Sequence, residues 1–506
     1  MSDKLNQLKT RLARVADLSS AANVLEWDQE THMPEGGADT RADQVGTLRS
    51  LAHQYFVDEE VGQLFEDLSG ELKGMDYDSN DASLVRVGYR EYQKLIRVPT
   101  TLIEEMNRAK AQGVEVWRKA RANNDFKSFQ PNLERIVDLQ KQYAACFNPP
   151  DNLYDALVDY YEPGMSYASI NAVFGELKPG VVALVKAISE NQGAVDDSPV
   201  RQHFDFDTQM KFSAEVAEAI GYSFKRGRLD LTTHPFMTSF SQDDARITTR
   251  VNTEFLPTCL MGVIHETGHA LYEQGVSPSL YRLGLGSQQV LGTGTSMAMH
   301  ESQSRFYENV LGRSRSFWKT MYPRLQAAFP QMKGVTLEAF YRALNKSQPS
   351  LIRVEADEVT YGLHIMLRFE LENDLINDRV KVKDLPREWN DRMEAYLGVR
   401  PSTDSDGVLQ DIHWSSGLVG YFPDYLLGSI LSVQWHHQMI KDRPEIPAEV
   451  EAGKFDTILA WLRENVHQHG LKFTMPELVK RVTGGSLQWQ PYMQYLETKY
   501  AEIYGL

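Results

Sequence analysis

Cysteine is nearly absent from these 506 residues; Cys146 and Cys259 are the only two. Two thiols cannot build a stabilising framework and nothing motivates a bridge between them, so the chain reads as a cytoplasmic protein of a reducing compartment. Long apolar runs are missing too. No stretch of 18 apolar residues occurs, which argues against a membrane span. The opening MSDKLNQLKTRLARVADL carries the leucine and alanine stripe of an amphipathic helix, without the apolar core of a secretory signal. Positive charge is in deficit: 53 Lys and Arg face 69 Asp and Glu, for a formal net charge of −16. An acidic surface repels phosphate backbones, and nucleic acid is excluded as a default partner. Fixed-period repeats, low-complexity tracts and convincing interdomain linkers are lacking as well.

What is present is ordinary globular composition, 42% hydrophobic and 24% charged. Apolar residues recur three and four apart in Leu102–Gln112, Ala168–Ser189, Leu337–Asn345, Phe455–Val466 and Met493–Ile503, which predicts helices. Loops rich in Gly, Pro, Asn and Asp separate such stretches at 33–37, 148–152 and 398–407. Strand-like alternation is clearest at 244–252. Length alone favours several domains, yet the pattern predicts one large, mainly α domain over 1–506 with a small sheet inside it. The basic residues between 107 and 127 read as a solvated helix face balanced by Glu104, Glu105 and Glu115. The glycines at 284–286 and 292–295 follow no strand and precede no Gly-Lys-Ser/Thr, so they predict a loop with a helix cap rather than a phosphate cradle.

The informative segment is TCLMGVIHETGHALYEQG, residues 258–275. His265 and His269, four apart among Leu260, Val263, Ile264 and Leu271, share one helix face, so both imidazoles can converge on one cation. Gly275 marks the helix end. Glu266, about 100° further round, reaches beside a metal and can take a proton from water held there. The competing reading is two core histidines around a chance glutamate. Positions three and six after His269 hold Tyr272 and Gly275, not a third histidine. The third ligand is then expected downstream, at Glu301 in SMAMHESQSRFYENVLG, on a helix from about Ser296 to Gly312. Glu301 could instead form an ion pair with Arg305, and His300 is an alternative ligand.

Other polar clusters leave their roles open. In DARITTRVN (244–252), Asp244, Arg246 and Thr248 share one strand face, with Ala245, Ile247 and Thr249 on the other. Such a strand can offer an exposed edge and orienting side chains to an extended peptide, or be a solvated hairpin. THPFMTSF (233–240) places His234, Pro235 and Phe236 at a turn, as core or as a pocket wall. A periodic helix starting at 351 carries Arg353 and Asp357 four apart, either a local ion pair or a carboxylate clamp in which Asp357 orients Arg353. GVLQDIHWSSGLVGYFPDY (407–425) concentrates Gln410, Asp411, His413, Trp414, Tyr421 and Tyr425; Asp411 can orient a histidine, and donors there can face an oxyanion.

The ordered set HPF (234–236), DARIT (244–248), HETGH (265–269), HESQ (300–303), IRVEAD (352–357) and GVLQDIHW (407–414) resembles the signature series of the thermostable carboxypeptidase 1, or Taq carboxypeptidase, family of metallopeptidases. LEWDQETHMPEGG near the start resembles that family's opening, so the likeness covers essentially the whole chain. The resemblance implies a mainly helical fold with a deep central cleft, a small sheet beside the active site, and a homodimer. It implies a carboxypeptidase that removes single amino acids from peptide C-termini, with broad side-chain preference and poor action at proline. It implies one divalent metal per subunit, zinc or sometimes cobalt, on His265, His269 and Glu301, with Glu266 as general acid and base. Arg353 is implied to recognise the terminal carboxylate, with HPF and DARIT on the substrate side. His413, and after it Tyr421, are implied near the reacting carbonyl, while Gln410, Asp411 and Asp357 are expected to back site residues rather than touch the substrate. Two rivals remain at this stage: an oligoendopeptidase or dipeptidyl carboxypeptidase with the same metal site, and a non-catalytic peptide-binding protein with a structural metal.

Overall fold

Spacings of three and four become helix through most of the chain. The computed structural model describes residues 3–286 and 296–506, and the GTGT run at 292–295 lies outside them. Among the described residues the β structure is one three-stranded sheet, so the mainly α class with a small sheet is what forms. The chain divides into two compact units, each drawn from three separated stretches.

One unit comprises Met1–Ile96, Asp197–Leu344 and Trp435–Ser486. Its first helix, Asp3–Thr31, buries Leu5, Leu8, Leu12 and Val15 along one stripe. These pack in a cluster with Phe56, Phe65, Val85 and Leu280. Each leucine removed from water contributes about 1.5–3 kcal/mol. Strands β1 (Leu229–Leu231), β2 (Met237–Ser241) and β3 (Asp244–Thr249) pair in the order β1-β3-β2, with β3 parallel to β1 and antiparallel to β2. The DARIT strand is thus the central one, paired with β2 over 244–247 and with β1 over 247–249, rather than the edge strand that one of the two readings required. Its Ile247, Thr248 and Thr249 are β-branched and buried, which suits a central strand.

The helix Pro257–Gly275 follows, with Pro257 in its first turn where the missing N–H costs nothing. It ends at Gly275 as expected, and glycine there also serves packing, since a Cβ would lie 2.5 Å from Nδ1 of His467. The helix that carries Glu301 begins at Ser296, whose hydroxyl caps Met299, runs from Met297 to Arg305, and continues as a π-helical turn over Phe306–Leu311 to Gly312.

The second unit comprises Arg97–Asp196, Asn345–Gln434 and Leu487–Leu506. Helices Thr100–Asn123 and Phe126–Ala145 form a hairpin turned by Asn124 at φ 53°, with Asp125 capping the second. The helix Tyr167–Glu190 is long and apolar enough, by length and composition alone, to cross a membrane. It nonetheless buries Ile170, Phe174, Leu177 and Val181 within this unit, Phe174 meeting the edge of Phe369. The last helix, Gln490–Tyr504, braces the 347–358 stretch. Tyr504 bonds both backbone groups of Ser347, while Lys499 and Tyr500 hold Glu358. Cys146 and Cys259 are both free thiols.

Candidate active site

Helical spacing brings His265 and His269 to one face of Pro257–Gly275, and their Nε2 atoms lie 3.8 and 3.4 Å from Oε2 of Glu301. All three candidate ligand atoms fall within 4.8 Å of one another. The approach depends on Gly268, because a Cβ there would lie 2.6 Å from the Gln303 carbonyl oxygen and the Ser304 Cα. Glu301 forms the expected ion pair, Oε1 accepting from Nε of Arg305 at 2.6 Å, while Oε2 accepts from the Ser304 hydroxyl at 3.0 Å and faces both imidazoles. Burial opposes its charge, but Arg305 and the two imidazoles hold it well below the usual carboxylate range.

The far nitrogens of both rings are occupied. His265 Nδ1 meets Oε2 of Glu308 at 2.9 Å, and His269 Nδ1 meets Nδ1 of His300 at 2.6 Å. His300 therefore backs a candidate ligand rather than replacing Glu301. Two bare Nε2 atoms and an ionised oxygen, each oriented from behind, fit a divalent cation. Glu266 is buried beside them; burial raises its pKa to about 7, His265 opposing and Glu301 and Glu308 adding to the rise. A carboxyl poised near neutrality suits general acid–base work.

Sequence reasoning missed Glu308 and Glu273, although both were readable. Glu273 continues the face of His265 and His269 by another four residues, and Glu308 lies seven beyond Glu301.

In the same unit, His234 is exposed while Pro235 and Phe236 are half-buried, so the His–Phe pair is not core. Thr248 clasps this segment: its hydroxyl accepts from the Phe236 N–H at 2.8 Å and donates to the Phe236 carbonyl at 2.9 Å. Arg246 is bound twice by Asp244, at 2.8 and 2.9 Å, and lies over the rings of Trp27 and Phe240.

The second unit holds the remaining candidates. Arg353 is not on a continuous helix with Asp357; residues 353–355 form a 3-10 turn and the helix starts at Tyr361. Asp357 does not orient Arg353. It caps that helix, accepting from the N–H groups of Val359 and Thr360 and from the hydroxyls of Thr360 and Ser347. An aspartate before a helix start satisfies free N–H groups, and that role wins here. Arg353 is instead held by Asp411 on Nε at 2.9 Å, by the Tyr361 hydroxyl on Nη1 at 3.1 Å, and by Gln410 on its backbone N–H at 2.8 Å. Asp411 also takes Nε of Arg368 at 2.7 Å, and the two guanidiniums keep it ionised despite burial.

Asp411 therefore orients arginine rather than histidine. His413 packs against Phe422, meets the Tyr425 hydroxyl through Nε2 at 3.3 Å, and is held neutral by burial with a pKa of about 3. Its buried Nδ1 has no hydrogen-bond partner among the described residues. Tyr421 stacks edge-on with Tyr161 and Tyr425.

A glutamate one residue past the first of two paired histidines, with a carboxylate from a neighbouring helix meeting both rings, defines a peptide hydrolase of the HEXXH metallopeptidase class. The sequence pattern described as carboxypeptidase Taq (M32) metallopeptidase matches residues 7–500, and this chain belongs to that family. Thermostable carboxypeptidase 1 of Thermus thermophilus is 38% identical over 97% of each chain. Carboxypeptidase 1 of Bacillus subtilis is 36% identical, over 98% of this chain and 97% of that one. The crystal structure of an M32 carboxypeptidase from Deinococcus radiodurans is 37% identical, covers 100% of both chains and superposes with a TM-score of 0.94. The chain is a metallocarboxypeptidase; an endopeptidase or a non-catalytic binding protein is not favoured.

Proposed function

We propose that this enzyme removes single amino acids from peptide C-termini with broad side-chain preference, using one zinc ion per subunit on His265, His269 and Glu301, with cobalt able to substitute. The observation that carries the proposal is the meeting of two Nε2 atoms and one carboxylate oxygen beside buried Glu266. A divalent cation in such a ligand set supplies Lewis acidity, lowering the pKa of water to roughly 7 and polarising a carbonyl.

Glu266 removes the proton of the attacking water and delivers it to the leaving amine. Arg353 receives the terminal carboxylate, its guanidinium oriented from behind by Asp411, Tyr361 and Gln410. His413, held neutral by burial, and Tyr421 serve as donors to the developing oxyanion, worth about 3 kcal/mol each. The His234–Phe236 segment and Asp244, Arg246 and Thr248 line the substrate side, Thr248 by holding Phe236.

The resemblance supports a homodimer and one catalytic domain over 1–506. Two free thiols support the cytoplasm, and the net charge of −16 supports peptides rather than nucleic acid as partners.

The test is a timed digestion of one peptide as free acid and as C-terminal amide, followed by mass spectrometry. Single residues should leave the acid in order while the amide stays intact; dipeptides or internal fragments would overturn the proposal. Arg353→Ala should erode that preference by at least about tenfold, the worth of a charge-assisted hydrogen bond. Glu266→Gln should retain metal and lose turnover.

A further inference from the structure

The two histidines are backed differently. His265 leans directly on a carboxylate, Glu308, whereas His269 leans on a second imidazole. His300 in turn places Nε2 at 3.0 Å from Oε1 of Glu273, a wholly buried carboxylate one helical turn past His269. Oε2 of Glu273 accepts from the hydroxyls of Tyr281 at 2.6 Å and Ser239 at 2.9 Å, and Ser239 belongs to β2.

We infer that Glu273 and His300 are positioning residues that fix the proton of His269 on Nδ1 and so keep its Nε2 bare for the cation. The inference rests on the metal-ligand reading above. A ligating Nε2 carries no proton, and a neutral imidazole has a single N–H, so that of His269 is on Nδ1. At 2.6 Å the facing Nδ1 of His300 must accept it. The proton of His300 is then on Nε2, where it requires an acceptor. Oε1 of Glu273, at 3.0 Å, occupies that place. Each member thus has one permitted state, and the order of donors runs from His269 through His300 to Glu273. Ser239 and Tyr281 aim the carboxylate, tying the edge strand β2 to the orientation of a metal ligand.

The experiment measures Zn2+ affinity of the full-length protein by competition with a chromophoric chelator, alongside melting of the metal-free form. His300→Phe keeps a ring but no acceptor, and Glu273→Leu removes the terminal acceptor; each should weaken Zn2+ binding by about 10–100-fold. Glu273→Gln retains a carbonyl for His300 and should bind close to the parent. A purely structural role would lower the melting of the metal-free protein and leave affinity unchanged. Parent-like affinity in folded His300→Phe or Glu273→Leu overturns the relay. Should those variants not fold, the Ser239→Ala, Tyr281→Phe pair decides, because it loses only two hydroxyls: weaker Zn2+ binding supports the relay and parent-like binding overturns it. His269→Ala tests the underlying reading separately, since undiminished Zn2+ binding there would overturn the ligand set itself.

Discussion

Glu372 shows how one side chain can couple the loop of candidate donors to pH. It lies on the helix Tyr361–Ile376 and accepts from the Tyr154 hydroxyl at 2.6 Å, from Nε1 of Trp414 at 2.9 Å and from the Gly420 N–H at 2.9 Å. Trp414 and Gly420 stand next to His413 and Tyr421, so this carboxyl holds the backbone that presents both. Burial outweighs the three donors and raises its pKa from 4.5 to about 7. Between those values the folded protein binds a proton that the unfolded chain has released. The resulting stabilisation is complete below the unfolded value and disappears as pH rises through the folded one.

Urea unfolding at about pH 5 and about pH 8 should therefore cost the parent about 3 kcal/mol that Glu372→Gln does not lose. Equal losses in both proteins would refute the assignment. Nothing in the sequence around Glu372 announces it, because its three partners come from 154, 414 and 420. His265, Glu266 and His269 were legible because one helix fixes their relation; Glu301 and Arg305 were legible for the same reason. The partner of Arg353 was misread because helical spacing to Asp357 was assumed, while the chain turns before the helix begins.

At the scale of elements, the metal helix owes its position to a missing side chain. Gly268 occupies the contact where Pro257–Gly275 meets Met297–Arg305. Alanine is the better helix former by about 1 kcal/mol, and on an exposed face the exchange would stabilise. Here a Cβ would press on main-chain atoms at 2.6 Å, and backbone cannot swing aside as a flexible side chain can. Overpacking of this kind costs about 1–3 kcal/mol, enough to reverse the sign. Gly268→Ala should destabilise the metal-free protein in urea by roughly that amount. It should also lose metal faster during dialysis, because the added methyl drives the histidines away from Glu301. A variant as stable and as metal-retentive as the parent would show that the helices separate freely.

The end of the first helix at Gly275 and the span of the second from Ser296 to Gly312 could be read within a residue or two. The place of β3 could not. Alternation shows which side chains share a face, whereas edge or centre depends on β1 and β2, and β1 is only three residues long.

For the whole molecule, the absence of any linker in the sequence has a structural counterpart. Each compact unit takes its residues from three stretches, one of them combining Met1–Ile96, Asp197–Leu344 and Trp435–Ser486. Within that unit the amino-terminal helix packs with Leu280 and Leu471, hundreds of residues later, and Arg86 donates to the Lys472 carbonyl at 2.8 Å. The Arg353 group depends likewise on distant chain: Asp411 and Gln410 lie more than fifty residues on, and Ser347 is held by Tyr504. Contacts this remote in sequence close large loops, and their entropy must be met before any apolar burial is gained. An amino-terminal fragment therefore lacks the partners that make its helices stable, even though several of those helices are long and three are capped, by Asp58, Asp125 and Ser166. Residues 1–196 produced alone should show helical circular dichroism without a cooperative melting transition, whereas the full chain unfolds sharply. A fragment melting cooperatively would mean that its own helices suffice as a core, and that the interleaved stretches contribute position rather than stability.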